Sequence, residues 1–188
     1  MRKRRIWSIQ NELLEKAKES ALAAVKIFND PLIKFKSESF TVLMIIAWTY
    51  LMHSYYRANS IDYRYYELKG KRKKFDKTKR GSFKYWELER CLNDSSCPID
   101  KDVMNNLKFL IGLRHEIEHQ MTSSLDEYIS GRFQACILNF NRYLCEFFGK
   151  EQSLESFLSY SLQFIELSEE QIQGIKPEAE IPTNLKAY

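Results

Sequence analysis

Phe40-Thr41-Val42-Leu43-Met44-Ile45-Ile46-Ala47-Trp48-Thr49-Tyr50-Leu51-Met52 is the run whose reading decides the fold. It is the most apolar stretch of the 188-residue chain. A bilayer span needs about 20 predominantly apolar residues, and these 13 include two threonines. Between Val42 and Trp48 the apolar character runs almost all round a helical wheel. A helix of that kind belongs in the middle of a bundle of other helices. The sequence therefore predicts a core helix over about Ser37–Tyr56, not a membrane anchor.

Working outward, Leu14, Ala17, Ala21, Val25 and Phe28 recur at three- and four-residue spacing, which predicts a first helix from near Ser8 to Phe28. Asn29-Asp30-Pro31 breaks it and offers a cap for the helix that follows. Beyond the central helix the periodicity is lost over residues 59–81, which read as a basic insertion, a long loop or hairpin. Phe83 to Asn93 reads as a short helix. Asp100 is placed to cap the next helix, about Lys101–Met121. Ser124-Leu125-Asp126-Glu127 fits a capping box for a long helix to about Phe148, with Gly149 as its stop. A further helix is expected over Ser153–Ile165, and a short turn capped by Ser168-Glu169-Glu170-Gln171. With only six glycines and four prolines, a barrel or sandwich rich in tight turns is excluded. The expected architecture is all-α: a single domain over residues 1–175, and a frayed tail over 176–188.

The net charge of +4 is modest but unevenly spread. Arg2-Lys3-Arg4-Arg5 opens the chain. Lys69 to Arg80 holds eight basic residues against Asp76. Such a run is either a solvated loop or a footprint for phosphate backbones. The four cysteines, Cys91, Cys97, Cys136 and Cys145, form no C-x2-C pair, and no secretory signal is legible at the start. Reduced thiols, a cytoplasmic location and no membrane association are expected.

The chemistry concentrates in Arg114-His115-Glu116-Ile117-Glu118-His119. Val103, Leu107, Leu110, Arg114, Ile117 and Met121 trace one stripe, so Arg114 falls where the pattern asks for an apolar side chain. A guanidinium there needs a partner, a bound anion or a wet interface. Pairing with Glu118, one turn on, is the bland solution. His115 and His119 also lie four apart, on one helical face, with Lys108 and Gly112 before them on that face. Gly112 costs roughly 1 kcal/mol of helix propensity relative to alanine, and its bare Cα admits a close neighbour. Arg114 and His119 diverge by about 140° on an ideal helix. His53, the remaining histidine, reads as a satisfied core or rim residue.

The same residues satisfy H-E-x-x-H, the helical zinc site of metalloproteases. No third histidine follows His119, Glu118 occupies a normally uncharged slot, and only Asp126, Glu127 or Glu146 is available as a further ligand. Started one residue earlier, at Arg114, the motif is R-x4-H and resembles that of the HEPN superfamily (higher eukaryotes and prokaryotes nucleotide-binding domains). Ser20–Val25 with Phe28–Phe35, Phe40–Trp48 and Gln134–Asn141 resemble signatures of the bacterial domain of unknown function numbered 3644, which has a HEPN-type arrangement of helices. The resemblance spans roughly Ala17 to Gly149.

What that resemblance implies is a metal-independent endoribonuclease in bacterial defence or a toxin–antitoxin system, working without a cofactor. His119 would be the acid or base at the ribose 2′-hydroxyl or the leaving oxygen. Arg114 would stabilise the phosphoryl oxygens, and His115 would occupy the polar slot after the arginine. Pairing of two motifs across a homodimer would let Arg114 of one chain complement His119 of the other. An antitoxin or regulatory protein is a further expected partner. Lys71, Arg72, Lys73, Lys74, Lys77, Lys79 and Arg80 would hold RNA, with Tyr63, Tyr65, Tyr66 or Phe75 stacking on bases. The competing class is a non-catalytic HEPN-like module that binds RNA, a nucleotide or a partner protein.

Overall fold

A computed structural model describes residues 8–119 and 126–162. Helix α1 (Ile9–Asn29) opens at Ser8, whose hydroxyl accepts from the Asn11 amide at 3.2 Å. Its stripe of Leu14, Ala17, Ala21, Ala24 and Val25 is buried. Three of those five are alanines, so α1 can lie close against its neighbour. That neighbour is α2 (Lys36–Ala58), the helix of the apolar run, with Phe40, Met44, Trp48, Leu51, Met52 and Tyr56 in the core. Asp30 does not cap α2 as expected. Its carboxylate accepts from the Leu32 amide at 2.9 Å in a local turn, and α2 begins at Phe35 without a side-chain cap.

The remaining helices are α3 (Leu88–Leu92), α4 (Lys101–His119), α5 (Asp126–Phe148) and α6 (Glu155–Leu162). Gly149 ends α5 at φ +99°, a conformation that suits a residue without a Cβ. Asp100 caps α4, accepting from the amides of Val103 at 2.9 Å and Asp102 at 3.1 Å. Ser124 of the expected capping box, the 168–171 turn, the 176–188 tail and Arg2 to Arg5 lie outside the described residues.

Ring contacts fix the helix directions. Phe40 stacks on Phe133 with centroids 4.3 Å apart, Trp48 meets Phe140 at 5.5 Å and Tyr55 meets Phe147 at 4.4 Å. Both series ascend, so α2 and α5 run parallel. Against α5, Asp100 at the start of α4 meets Tyr143, whereas Asn106 reaches the Arg132 carbonyl and Arg132 lies over Phe109. The first series rises as the second falls, so α4 runs antiparallel to both.

Residues 59–81 contain a hairpin of β1 (Tyr66–Lys69) and β2 (Arg72–Phe75), in the register Tyr66↔Phe75 to Lys69↔Arg72. The two-residue loop carries positive φ at Gly70, its first position, the pattern of a II′ turn. Phe83 to Asn93 is not one helix. Only Leu88–Leu92 is helical, while Phe83 and Tyr85 form antiparallel bridges to Lys77 and Arg64. The alternation of Phe83 and Tyr85 is the period of a strand, and the partners that use it flank the preceding hairpin. Among the described residues no helix is long and apolar enough to cross a membrane.

Candidate functional site

Helix α4 carries Arg114, His115 and, at its last residue, His119. Val103, Leu107 and Leu110 are buried as expected, but at the next turn the buried residue is Leu113, at 1% exposure. Arg114 is therefore not the core position that the stripe suggested. It sits half-buried at the flank of the packed face. His115 is exposed and Lys108 is exposed. Gly112 is buried, which interrupts the contact face expected around it. The side chains of Glu118 and His119 lie outside the described residues, and with them the expected pairing of Arg114 with Glu118.

The antiparallel course of α4 and α5 bears on the zinc reading. Glu146 is near the end of α5, beside the start of α4, and so lies at the opposite end of the helix from His115 within one chain. The side chains of Asp126 and Glu127 lie outside the described residues.

Lys71, Arg72, Lys73, Lys74, Lys77, Lys79 and Arg80 are all exposed on the hairpin and the turn after it. Lys74 stands opposite Glu67 across the ladder. Lys73 lies over the Tyr66 ring at 4.2 Å and Lys77 over Phe83 at 5.3 Å. The aromatic side chains divide in two. Tyr63 is buried and stacks on His53 at 4.6 Å, and half-buried Phe75 is covered by the Arg64 guanidinium at 3.8 Å. Tyr65 is also half-buried. Tyr63 and Tyr65 anchor the foot of the hairpin to the bundle, whereas Phe75 packs within the hairpin region against Tyr66, Phe83 and Arg64. Tyr66, Phe83 and Tyr85 are exposed instead.

The hairpin leaves the C-terminal end of α2, whereas Arg114 lies beyond Phe109, beside the N-terminal ends of α2 and α5. The two basic features thus occupy opposite ends of the bundle. Their separation is on the order of 30 Å, from a rise of about 1.5 Å per residue along α2.

His53 is satisfied in the core, as its isolation suggested. Its Nε2 lies 2.7 Å from the Trp86 carbonyl, so that nitrogen donates. Burial lowers its pKa, against the raising effect of that bond. The thiols of Cys91 and Cys136 are pushed up to about 12 by burial, and the Trp48 indole N–H donates to Cys136 Sγ at 3.3 Å. Both are core groups rather than nucleophiles.

One feature gave no signal in the sequence. At the foot of the hairpin an open pocket of about 460 Å3 is lined by Arg57 and Ser60 at the end of α2 and by Asp62, Tyr63 and Arg64 from the segment leading into β1. Tyr85, which bridges back to Arg64, completes the wall. Arg57 and Tyr85 meet only because the chain pairs back on itself, so neither spacing nor periodicity could join them. Asp62 grips Arg64 with both oxygens, at 2.8 Å to Nε and 2.9 Å to Nη2. That grip, then the Arg64 amide, holds the Asp62 carboxyl below the usual carboxylate range, against the opposing effect of burial. Burial raises the Tyr63 hydroxyl, and the adjoining Arg57 guanidinium, which hydrogen-bonds it, opposes the rise.

No curated protein and no solved structure matches the chain. The sequence profile described as "Domain of unknown function (DUF3644)" matches residues 12–188. That match takes in every helix and the hairpin, from the first turns of α1 onward, and the chain belongs to the DUF3644 family.

Proposed function

We propose that the protein is a metal-independent endoribonuclease of the HEPN type, acting as a homodimer in bacterial defence or as a toxin. The observation that supports this most is the placing of Arg114, His115 and His119 on the last turns of one helix, with Arg114 out of the core and His115 exposed. A permanently charged, fork-shaped donor beside an imidazole suits phosphodiester cleavage by an internal hydroxyl, which calls for charge stabilisation and proton transfer together.

In this reading His119 takes the proton of the ribose 2′-hydroxyl, whose oxygen forms a bond to phosphorus. The bond from phosphorus to the 5′-oxygen breaks as that oxygen takes a proton from the second imidazole, His115. Arg114 stabilises the charge gathering on the non-bridging oxygens, and His115 orients the phosphate. The product is a 2′,3′-cyclic phosphate. Because Arg114 and His119 diverge on one helix, the reading pairs Arg114 of one protomer with His119 of its partner.

The test is incubation with RNA in excess chelator. Cleavage that persists there and disappears in Arg114→Ala and in His119→Ala supports the proposal. Cleavage that chelator abolishes sinks it in favour of a metal site. A second reading, an RNA-binding module without catalysis, draws on the distance between the hairpin and Arg114. A cationic arm so placed binds RNA independently of what Arg114 does. RNA binding by a folded protein that never cleaves would select it.

A further inference from the structure

The pocket at the foot of the hairpin combines features that no packing role requires. Its volume of about 460 Å3 lies within the ~300–1,000 Å3 typical of small-molecule sites. It offers a guanidinium from Arg57 and an aromatic face from Tyr85, which remains 46% exposed beside the buried Tyr63 ring at 5.1 Å. The acid in the wall, Asp62, is committed to Arg64 through a two-point ion pair. The remaining cation therefore sets the sign of the pocket, and the lysines of the hairpin add to it.

Ser60 supplies a second, independent observation. It is the C′ residue of α2, and the chain there forms a full Schellman motif. The Ile61 amide donates to the Tyr56 carbonyl at 2.8 Å, and the Ser60 amide to the Arg57 carbonyl at 3.3 Å. That motif calls for left-handed backbone and favours glycine. Ser60 adopts it at φ 57°, the only such non-glycine among the described residues, and lines the pocket. A hydroxyl is thus held, in an unfavourable conformation, where glycine would serve the helix better. Strain of this kind marks positions where a side chain has a task.

We infer that this pocket is a mononucleotide subsite, with the phosphate on Arg57, the base against Tyr85 and the Ser60 hydroxyl on the ribose or phosphate. A guanidinium suits the phosphate oxygens, and a partly exposed ring suits any base. The nucleotide is either a free nucleoside monophosphate or one residue of a single-stranded RNA lying along the cationic hairpin. The site does not depend on cleavage at Arg114, because binding is read at equilibrium without turnover.

The experiment titrates the intact protein with 5′-AMP, adenosine, inorganic phosphate and a short oligo(A), by calorimetry and by 15N amide shifts. AMP is expected to bind more tightly than adenosine or phosphate alone, moving the Ser60 and Tyr85 amides. Arg57→Gln is expected to weaken it about tenfold by loss of one charge-assisted contact. Tyr85→Leu should weaken it by about the same factor through loss of stacking. Ser60→Gly provides the signature that a purely structural role would not produce: a more stable protein that binds less well. Oligo(A) binding that is lost in Arg57→Gln, with no AMP binding, assigns the pocket to a strand rather than a free nucleotide. Failure of both AMP and oligo(A) to bind overturns the proposal. So does binding that moves no amide of the pocket, or that survives Arg57→Gln and Tyr85→Leu in variants with unchanged circular dichroism.

Discussion

Two residues at helix ends carry measurable consequences. Ser60 sits in left-handed backbone, which costs a residue with a Cβ roughly 1–2 kcal/mol. Part of that cost is offset because glycine gains freedom in the unfolded chain. Ser60→Gly should therefore raise the unfolding free energy by about 0.5–1 kcal/mol in a denaturant titration. Asp100 is the other. The Val103 amide, the Tyr143 hydroxyl and Arg142 together hold its carboxyl at about 2. An ordinary carboxyl titrates near 3.9, so the folded value is depressed. The stability it contributes is complete above about pH 4 and is lost as the pH falls toward about 2. The carboxylate itself is 44% exposed and Arg142 52%, so the effect is screened by solvent although Tyr143 is buried. Asp100→Asn should keep an oxygen on the amides of α4 yet flatten the stability profile between pH 4 and 2. Asp100→Ala should cost about 1 kcal/mol at neutral pH as a lost cap.

At the scale of elements, α2 is the post around which the bundle is built. Trp48 is fully buried between α2 and α5, so Trp48→Ala should cost about 3–5 kcal/mol. Urea titration followed by circular dichroism will show that loss as a lowered midpoint. This helix was legible because its composition leaves it nowhere to go but inside, and α1, α4 and α5 because apolar side chains recur with the helical period. The cap at Asp100 and the stop at Gly149 were legible for local reasons, since each acts within a few residues of itself. Phe83 and Tyr85 were misread because a strand is completed by a partner, and their partners at Lys77 and Arg64 belong to a different turn of the chain. On α4 the same limit shifted the inward position from Leu113 to Arg114. Both choices extend the stripe, and only the packing against neighbouring helices selects one. For the hairpin, neutralising Lys73, Lys74 and Lys77 to Gln should weaken RNA binding and flatten its salt dependence by a slope of about 2–3, because each released phosphate contact is worth somewhat less than one counterion. An unchanged slope would mean that the arm does not touch phosphates.

For the whole molecule, the motif residues could be named from sequence but their setting could not. Arg114, His115 and His119 are adjacent in the chain, whereas the distance from them to the hairpin follows from α4 running against both α2 and α5. The proposed paired motif predicts that mixing Arg114→Ala and His119→Ala protomers restores cleavage in the heterodimer, up to about half its sites, while each variant alone is inactive. Absence of rescue in a confirmed mixed dimer would rule out sharing between chains. The position of the hairpin then sets a length scale. If the two-fold axis passes near the Arg114 ends, the cationic arms are carried to the two extremities and the scissile position lies midway between them. Such an assembly works as a caliper. A short oligonucleotide fills the centre and feels neither arm, whereas a long or folded RNA is gripped at its flanks and cut at a place set by distance rather than by sequence.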